Sequence, residues 1–410
     1  MDVRRVRRRW LAFVVVVAVA IPAAGAAQTA AAPQAQEAPK VRIAPYGLLF
    51  FNAFWNDGGT NNADVPLWAT GGPGNASASG RQSRLGLRVT GATFRSAKVA
   101  AVVEADFYGG FPAIGIGDNM GVLRLRLANA RLDWTRGSLV VGQDWMVFAP
   151  ANPISNAAAG IPLLAAAGNP WSRLPQVRGE WRVDHFVVQG ALLAPSTGDF
   201  SSQFLYQPAS GALSQWPFLQ GRAAYIPASF AGVERPATLG FSGHYGRSRV
   251  VSPTERTVDS RGMAADWSLP LPAGLTISGE AFAGRNLAAF QAGIFQGLNL
   301  DGATDAGSGL VADGPRSIRT AGGWMQVAAA VTGSVTATAV FGIDDPNNED
   351  LLSVAGREAR LRNVAAGAGF QHKASAQFTW GVEYRHLTTT LLVGGRQNDD
   401  HVNVAVTFSF

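Results

Sequence analysis

The chain closes on HVNVAVTFSF (His401–Phe410), a strict alternation. Val402, Val404, Val406, Phe408 and Phe410 fall on one face of an extended strand, and His401, Asn403, Ala405, Thr407 and Ser409 on the other, because strand side chains alternate with period two. Chain ends are ordinarily frayed and polar. This one presents an oily face to its surroundings.

The same alternation recurs along the chain, punctuated by turn residues, while helical periodicity is scarce. About sixteen strands are predicted, near 42–56, 81–91, 98–108, 122–134, 137–146, 176–183, 185–194, 218–226, 236–246, 260–269, 273–284, 319–331, 334–343, 359–371, 375–388 and 399–410. Many are close to the length a tilted strand needs to cross a bilayer. The connections alternate. Those at 57–80, 109–121, 147–175, 195–217, 247–259, 286–318 and 344–358 are long. Those between them, such as Thr135–Gly137, Pro270–Pro272 and Thr332–Ser334, are tight. A soluble sandwich gives no reason for every second loop to be long. A transmembrane antiparallel β-barrel with long extracellular loops and short periplasmic turns does. In hydrocarbon every backbone polar group must pair within the protein, so a sheet spans only by closing on itself. The terminal strand is then a barrel stave. Its valines face lipid, and Phe408 and Phe410 join Trp134, Trp145, Trp181, Trp267, Trp380 and Tyr384 in aromatic girdles.

The N-terminus agrees with export. MDVRRVRRRWLAFVVVVAVAIPAAGAAQ has a basic stretch, a short apolar core from Trp10 to Ile21 and small residues for cleavage near Ala26, which is the pattern of a signal peptide over 1–27. The net charge of +6 belongs mostly to that segment. Its removal takes five Arg and one Asp, leaving 29 basic against 27 acidic side chains. The basic balance therefore gives no reason to expect a nucleic-acid partner. Residues 28–41 read as a short polar periplasmic linker and 42–410 as the barrel. With no cysteine, disulfides and thiolate chemistry are excluded.

Several stretches resemble a known family. RQSRLGLRVTG (Arg81–Gly91), VVEADFYGG (Val102–Gly110), VLRLRLANARLDW (Val122–Trp134), VVGQDWMVF (Val140–Phe148), RLPQVRGEW (Arg173–Trp181) and the terminal Phe410 stand in the order found in trimeric Gram-negative outer-membrane porins. They are most similar to the DcaP-like porins. The resemblance is clearest over 42–182 and at the terminus. It implies a homotrimeric outer-membrane channel, with lipid, lipopolysaccharide and small anionic solutes as partners and 147–175 as a candidate constriction loop. Two features depart from it. DcaP-type porins carry a coiled-coil stalk, whereas 28–40 hold no heptad; general porins carry acidic residues on the constriction loop, whereas 147–175 has no Asp or Glu.

Inside such a barrel the chemistry is electrostatics at the pore wall. With Leu85, Leu87 and Val89 outward, Arg84 and Arg88 point inward. By the same alternation Glu104, Asp106, Arg124, Arg126, Arg178, Glu180 and Arg182 also point inward. An arginine on the lipid face costs about 2–4 kcal/mol at the midplane. Six arginines against three carboxylates predict a positive wall and a preference for small carboxylic acids. After Leu127 the phase slips, because Arg131 and Asp133 follow the lipid-facing leucines. Either a bulge near Ala128–Asn129 or a covering subunit accounts for this, and the small Ala128 and Ala130 favour the subunit.

Other motifs carry less. Asp344, Asp345, Glu349 and Asp350 read as a solvated acidic loop, and the five histidines have no metal-ligand spacing. No cofactor, metal site or catalytic residue is predicted. The alternatives to a pore are a non-conducting structural barrel and an outer-membrane hydrolase built around His386 with a neighbouring Ser or Thr.

Overall fold

The terminal strand does close a barrel. In the computed structural model, which describes residues 40–110, 121–197, 208–251, 255–299, 315–352 and 359–410, β1 (Arg42–Thr60) pairs antiparallel with β16 (Gly395–Ser409). The register runs from Leu48 opposite Ser409 to Asn56 opposite His401. Gly47 N–H donates to the Phe410 carbonyl at 3.0 Å, and Phe410 N–H donates back at 3.2 Å. The signal segment predicted over 1–27 and nearly all of the linker lie outside the described residues.

On its other edge β1 meets β2, which is broken in two. Ala69–Ser79 pairs with the loop-end half of β1 and Arg84–Phe94 with the turn-end half. At the break the ladder is replaced by a side chain: Phe50 N–H donates to Ser83 Oγ at 2.9 Å, and Ser83 Oγ donates to the Phe50 carbonyl at 3.2 Å. The wall continues through β3 (Ala97–Asp106), β4 (Arg124–Asp133), β5 (Gly137–Trp145), β6 (Arg173–Val183), β7 (Phe186–Leu193) and β8 (Phe218–Tyr225). It is completed by β9 (Thr238–Val250), β10 (Arg256–Leu271), β11 (Leu275–Arg285), β12 (Arg319–Ala330), β13 (Val335–Pro346), β14 (Arg360–Lys373) and β15 (Phe378–Leu391). Every neighbouring pair is antiparallel, giving a closed barrel of sixteen strands.

Two connections differ from the sequence reading. The first link is not a loop over 57–80, because both strands extend past the expected ends and leave only 61–68 between them. Likewise β9 and β10 run on as a hairpin through most of 247–259, with Ser248 opposite Val258. Backbone pairing carries these strands beyond the apolar band, where the polar side chains had suggested loop.

The burial pattern is inverted relative to a soluble protein. Phe51, Trp55, Met263, Phe341 and Val404 are exposed on the outer face, while Glu280, Gln326, Thr389, His401 and Asn403 are fully buried inside. Aromatic pairs stud the turn end, Phe186 against Tyr225 at 5.2 Å and Phe370 against Trp380 at 5.4 Å. Trp145 is not part of a girdle. It packs 6.1 Å from Trp171, beside the cluster of Leu67, Ala166 and Ile294 where the long loops meet.

The phase slip in β4 is a bulge. Glu104 pairs with Leu127 but Ala105 pairs with Leu125, so Arg126 is the unmatched residue. One extra residue reverses every later side chain. Arg131 and Asp133 thereby turn inward, where Arg131 lies 3.6 Å from Glu180 and Arg182 lies 3.8 Å from Asp133. The cysteine-free background allows a direct check. In proteoliposomes, Leu132→Cys is expected to react with an apolar maleimide and Arg131→Cys with a charged, water-soluble one; the opposite pattern contradicts the bulge.

Candidate functional site

The loop between β5 and β6, residues 146–172, lies inside the barrel, and its own sequence explains how. It is rich in Ala, Pro and other apolar residues, with a few Asn and Ser and no charge, so it brings many backbone donors and few side chains able to satisfy them. Buried N–H groups must find acceptors. Here they find inward-facing side chains on successive staves. Val147 and Phe148 N–H donate to Gln220 Oε1 of β8 at 2.9 and 3.0 Å, and Ala149 N–H to Ser242 Oγ of β9 at 3.1 Å. Ala151 N–H donates to Glu280 Oε2 of β11 at 3.1 Å. Ile154 and Gln326 of β12 exchange two bonds of 2.8 Å. Asn156 N–H and Ser155 Oγ reach Glu383 of β15 at 2.7 and 2.8 Å. Ala159 and Gly160 N–H both donate at 2.8 Å to Gln82 Oε1, at the break in β2. The loop thus travels round the inner wall, tethered stave by stave.

Packing locks the return path. Leu163, Leu164 and Ala167 bury themselves against Trp324, Val340, Ala365 and Leu387. Asn363 Nδ2 donates to the Ala166 carbonyl at 2.8 Å and to the Leu67 carbonyl of the first loop at 2.7 Å. Gly342 is required by close approach, since a Cβ there would run into the Ala167 carbonyl. The first loop is held by Asp64, which pairs with Arg81 and accepts from Tyr108 Oη at 2.9 Å. Burial, and then the Asp64 charge, hold the Tyr108 hydroxyl protonated far above its ordinary range, so it remains a donor.

The predicted charged residues fall into three groups. In the first, Arg84, Arg124 and Arg126 meet Glu104 and Asp106 under the bend of the loop at Ala159–Gly160. Arg126 is almost fully buried, 2.7 Å from both carboxylates. Arg124 pairs with Asp106 at 2.6 Å and donates to the Gly160 carbonyl at 2.7 Å. Arg84 stands 3.9 Å from Glu104 and donates to the Ala159 carbonyl at 3.3 Å. Arg173, which the sequence reading missed, completes the group, its guanidinium 4.7 Å from the Trp145 ring and 3.4 Å from the Gly160 carbonyl. Arg84 Nε and Arg173 Nη1 are buried with no hydrogen-bond partner among the described residues.

The second group is Arg178 with Asp144 at 2.8 Å, Asp144 being another omission. The third is a chain of Arg131, Asp133, Arg182 and Glu180, in which Arg182 and Glu180 approach to 2.5 Å. Arg88 stands apart from all three, over the Tyr46 ring at 4.9 Å. The added residues are two arginines and two carboxylates, so the stretch of wall from β2 to β6 keeps its excess of three arginines, while Glu280, Asp344 and Glu383 face inward on the staves across from it. Arg131 and Asp133 could be found only by knowing where the bulge lies, and Arg173 only by knowing that the loop folds inward; Asp144 sits on a stave, Gly137–Trp145, with apolar residues on both faces.

The remaining motifs disperse. Asp344 is buried facing inward, accepting from Thr320 Oγ1 at 2.7 Å. Asp345 pairs with Arg362 at 2.8 Å, and Asp350 with Arg319 at 2.9 Å. Among the described residues no group of His, Asp or Glu could hold a metal ion. On the outer face Thr388 Oγ1, His386 and Asp400 do line up, at 3.3 and 2.8 Å. The strand residues around them pair with β14 and β16, so the ladder leaves no pair of backbone donors to stabilise an oxyanion there.

No family model and no curated protein matches the chain. Solved structures do. The outer-membrane channel DcaP of Acinetobacter baumannii aligns at a TM-score of 0.69 and 16% identity, over 90% of this chain and 97% of that one. An anion-selective porin from Comamonas acidovorans aligns at 0.55 and 14% identity, over 90% and 100%. OmpF of Salmonella typhi, solved in complex with daunomycin, aligns at 0.54 and 13% identity, over 90% and 97%. The chain has the fold of outer-membrane porins, with DcaP a structural neighbour.

The tethering predicts the behaviour of Glu383→Ala, which leaves Ser155 Oγ and the Asn156 amide without their acceptor. Stability in detergent is expected to fall by about 2–4 kcal/mol, with added single-channel noise, and Glu383→Gln is expected to fall between. An unfolding midpoint unchanged in Glu383→Ala contradicts the tether.

Proposed function

We propose that this chain is an outer-membrane porin: a diffusion channel for small hydrophilic solutes that prefers anions such as small carboxylic acids. The observation that carries the reading is the group beneath Ala159–Gly160. Three arginines meet two carboxylates there, a fourth, Arg173, stands beside them on the Gly160 carbonyl, and one N–H each of Arg84 and Arg173 is buried without a partner among the described residues. Buried donors left unmade cost free energy. A carboxylate on a passing solute meets the accessible edges of Arg84 and Arg124, whose side chains are 24% and 25% exposed, and guanidinium groups bind carboxylates in paired, charge-assisted bonds. The ion pairs of Arg126 and Arg178 serve a different purpose in this reading. They hold the wall rigid and position the unsatisfied arginines, so Arg84, Arg124 and Arg173 face the solute while Glu104, Asp106 and Arg126 support them. Arg88, Glu180 and Arg182 belong to the same pore wall and set its field.

The likeness to a porin described as anion-selective supports the same preference. In this reading the protein reaches the outer membrane by its signal peptide and assembles there as a homotrimer. The trimer contact falls on β3–β8, whose strands of eight to eleven residues make the lowest stretch of wall. The inner loop gives the constriction. It has no carboxylate of its own, so the field there is set by the wall.

The test is a planar-bilayer recording under a potassium chloride gradient. Conductance in threes is expected, with a reversal potential on the chloride side. The pair Arg84→Gln and Arg173→Gln is expected to lower the anion-to-cation permeability ratio several-fold while leaving the conductance steps in place. Cation preference in the unmodified protein removes the selectivity reading, and absence of conductance removes the pore.

A further inference from the structure

Three arginines stand side by side on the outer face of the barrel. Arg261 of β10 is directly opposite Arg285 of β11, which is directly opposite Arg319 of β12. Alternation places all three outward, in phase with the exposed Met263 and Met325. Like charges directly opposite one another across a sheet are destabilising. Arg319 is relieved from above, since the short helix Asn348–Leu352 brings Asp350 to 2.9 Å and Glu349 to 3.3 Å. Arg261 and Arg285 make no hydrogen bond or ion pair with any described residue. The row therefore carries two cations that no carboxylate among the described residues pairs, Asp345 and Glu349 of the same recess being held by Arg362 and Arg319.

Its height on the barrel is informative. From Leu271 at the turn end, β10 runs ten residues to Arg261, alternating outward through Leu269, Trp267, Ala265 and Met263. At about 3.3 Å per residue and a tilt of about 40°, that is roughly 25 Å, the height of the apolar band of such barrels. The row sits where hydrocarbon ends and lipid headgroups begin. Neighbouring staves turn polar at the same level, with Asp345, Arg362, His386 and Asp400 outward. Between the row and the overhanging 346–349 segment lies a recess of about 830 Å³, lined among others by Arg261, Met263, Arg285, Asn347 and Glu349.

We propose that this recess binds the phosphate of a phosphorylated glycolipid in the outer leaflet. The proposal rests on reading the barrel as an outer-membrane protein. Arg261 and Arg285 take the phosphate oxygens in the bidentate manner of guanidinium groups. Asn347 and Glu349 offer partners for sugar hydroxyls, which a simple phospholipid headgroup lacks in that number. The acyl chains lie below on Met263, Ala283 and Ala321. Bound phosphate removes the repulsion within the row, so the lipid contributes to the stability of this side of the wall.

The test is native mass spectrometry of the refolded full barrel, titrated with a diphosphorylated acyl-disaccharide lipid, its dephosphorylated counterpart and phosphatidylglycerol. The diphosphorylated lipid is expected to bind about tenfold or more tightly than either of the others, given the contribution of each basic side chain at a membrane surface. The double variant Arg261→Gln with Arg285→Gln is expected to lose that advantage, and Arg285→Gln alone to lose part of it. Heat-modifiable gel migration confirms that each variant is folded. Equal binding by the unmodified protein and the double variant overturns the site. So does phosphatidylglycerol binding as tightly as the glycolipid. Conductance on the same samples separates the two readings: a conducting barrel without lipid preference loses only the site, and a lipid-binding barrel that never conducts loses only the pore.

Discussion

A loop inside a barrel must dispose of its backbone amides, and most of the interior follows from that requirement. Residues 146–172 bring donors into a space where water is largely displaced, and their own side chains answer few of them. The wall answers for them with Gln220, Ser242, Glu280, Gln326, Glu383 and Gln82, one after another round the barrel. Each of these polar residues except Gln82, which sits at the break in β2, lies on a strand whose opposite face is apolar. The alternation that lets the strand cross a membrane thus also supplies the acceptors that hold the loop. Without the loop, those buried amides and carboxylates would be unmatched as well. Wall and loop satisfy each other.

The electrostatics divide along the same line. Arg126, Glu104 and Asp106 form a buried, mutually satisfied centre, whose ionic members are worth more as a rigid frame than as a source of net attraction. The arginines around it are less complete. Arg84 and Arg173 reach loop carbonyls with one nitrogen each and leave another buried donor unused. A wall assembled only for rigidity would pair these as it pairs Arg178 with Asp144. On the outer face the contrast repeats, since Arg362 and Arg319 have carboxylate partners while Arg261 on β10 and Arg285 on β11 have none among the described residues.

Much of the barrel was legible in the sequence because period two is a local signal. The closing of His401–Phe410 onto Leu48–Asn56 followed from its oily face, and exposed residues such as Leu85 and Trp181 keep the same period on other staves. What the sequence hid was non-local. Polar stretches around Gly71–Asn75 and Arg247–Asp259 read as loop, yet they pair as strands beyond the membrane. The bulge at Arg126 depends on the partner strand, because only the ladder with β3 shows which residue goes unmatched. Arg173 and Trp145 join the site through the path of a loop whose own residues carry no chemical signal.

The central claim is that the inner loop is a fixed part of the wall, and hydrogen–deuterium exchange of the folded barrel in detergent tests it most directly. Amides tethered to the wall, those of Val147, Phe148, Ala149, Ile154, Asn156, Ala159 and Gly160, are expected to be protected as strongly as the flanking strands β5 and β6. Exchange of peptides from 146–160 as fast as exposed turns would contradict it, and would leave the wall's acceptors without the partners that explain them.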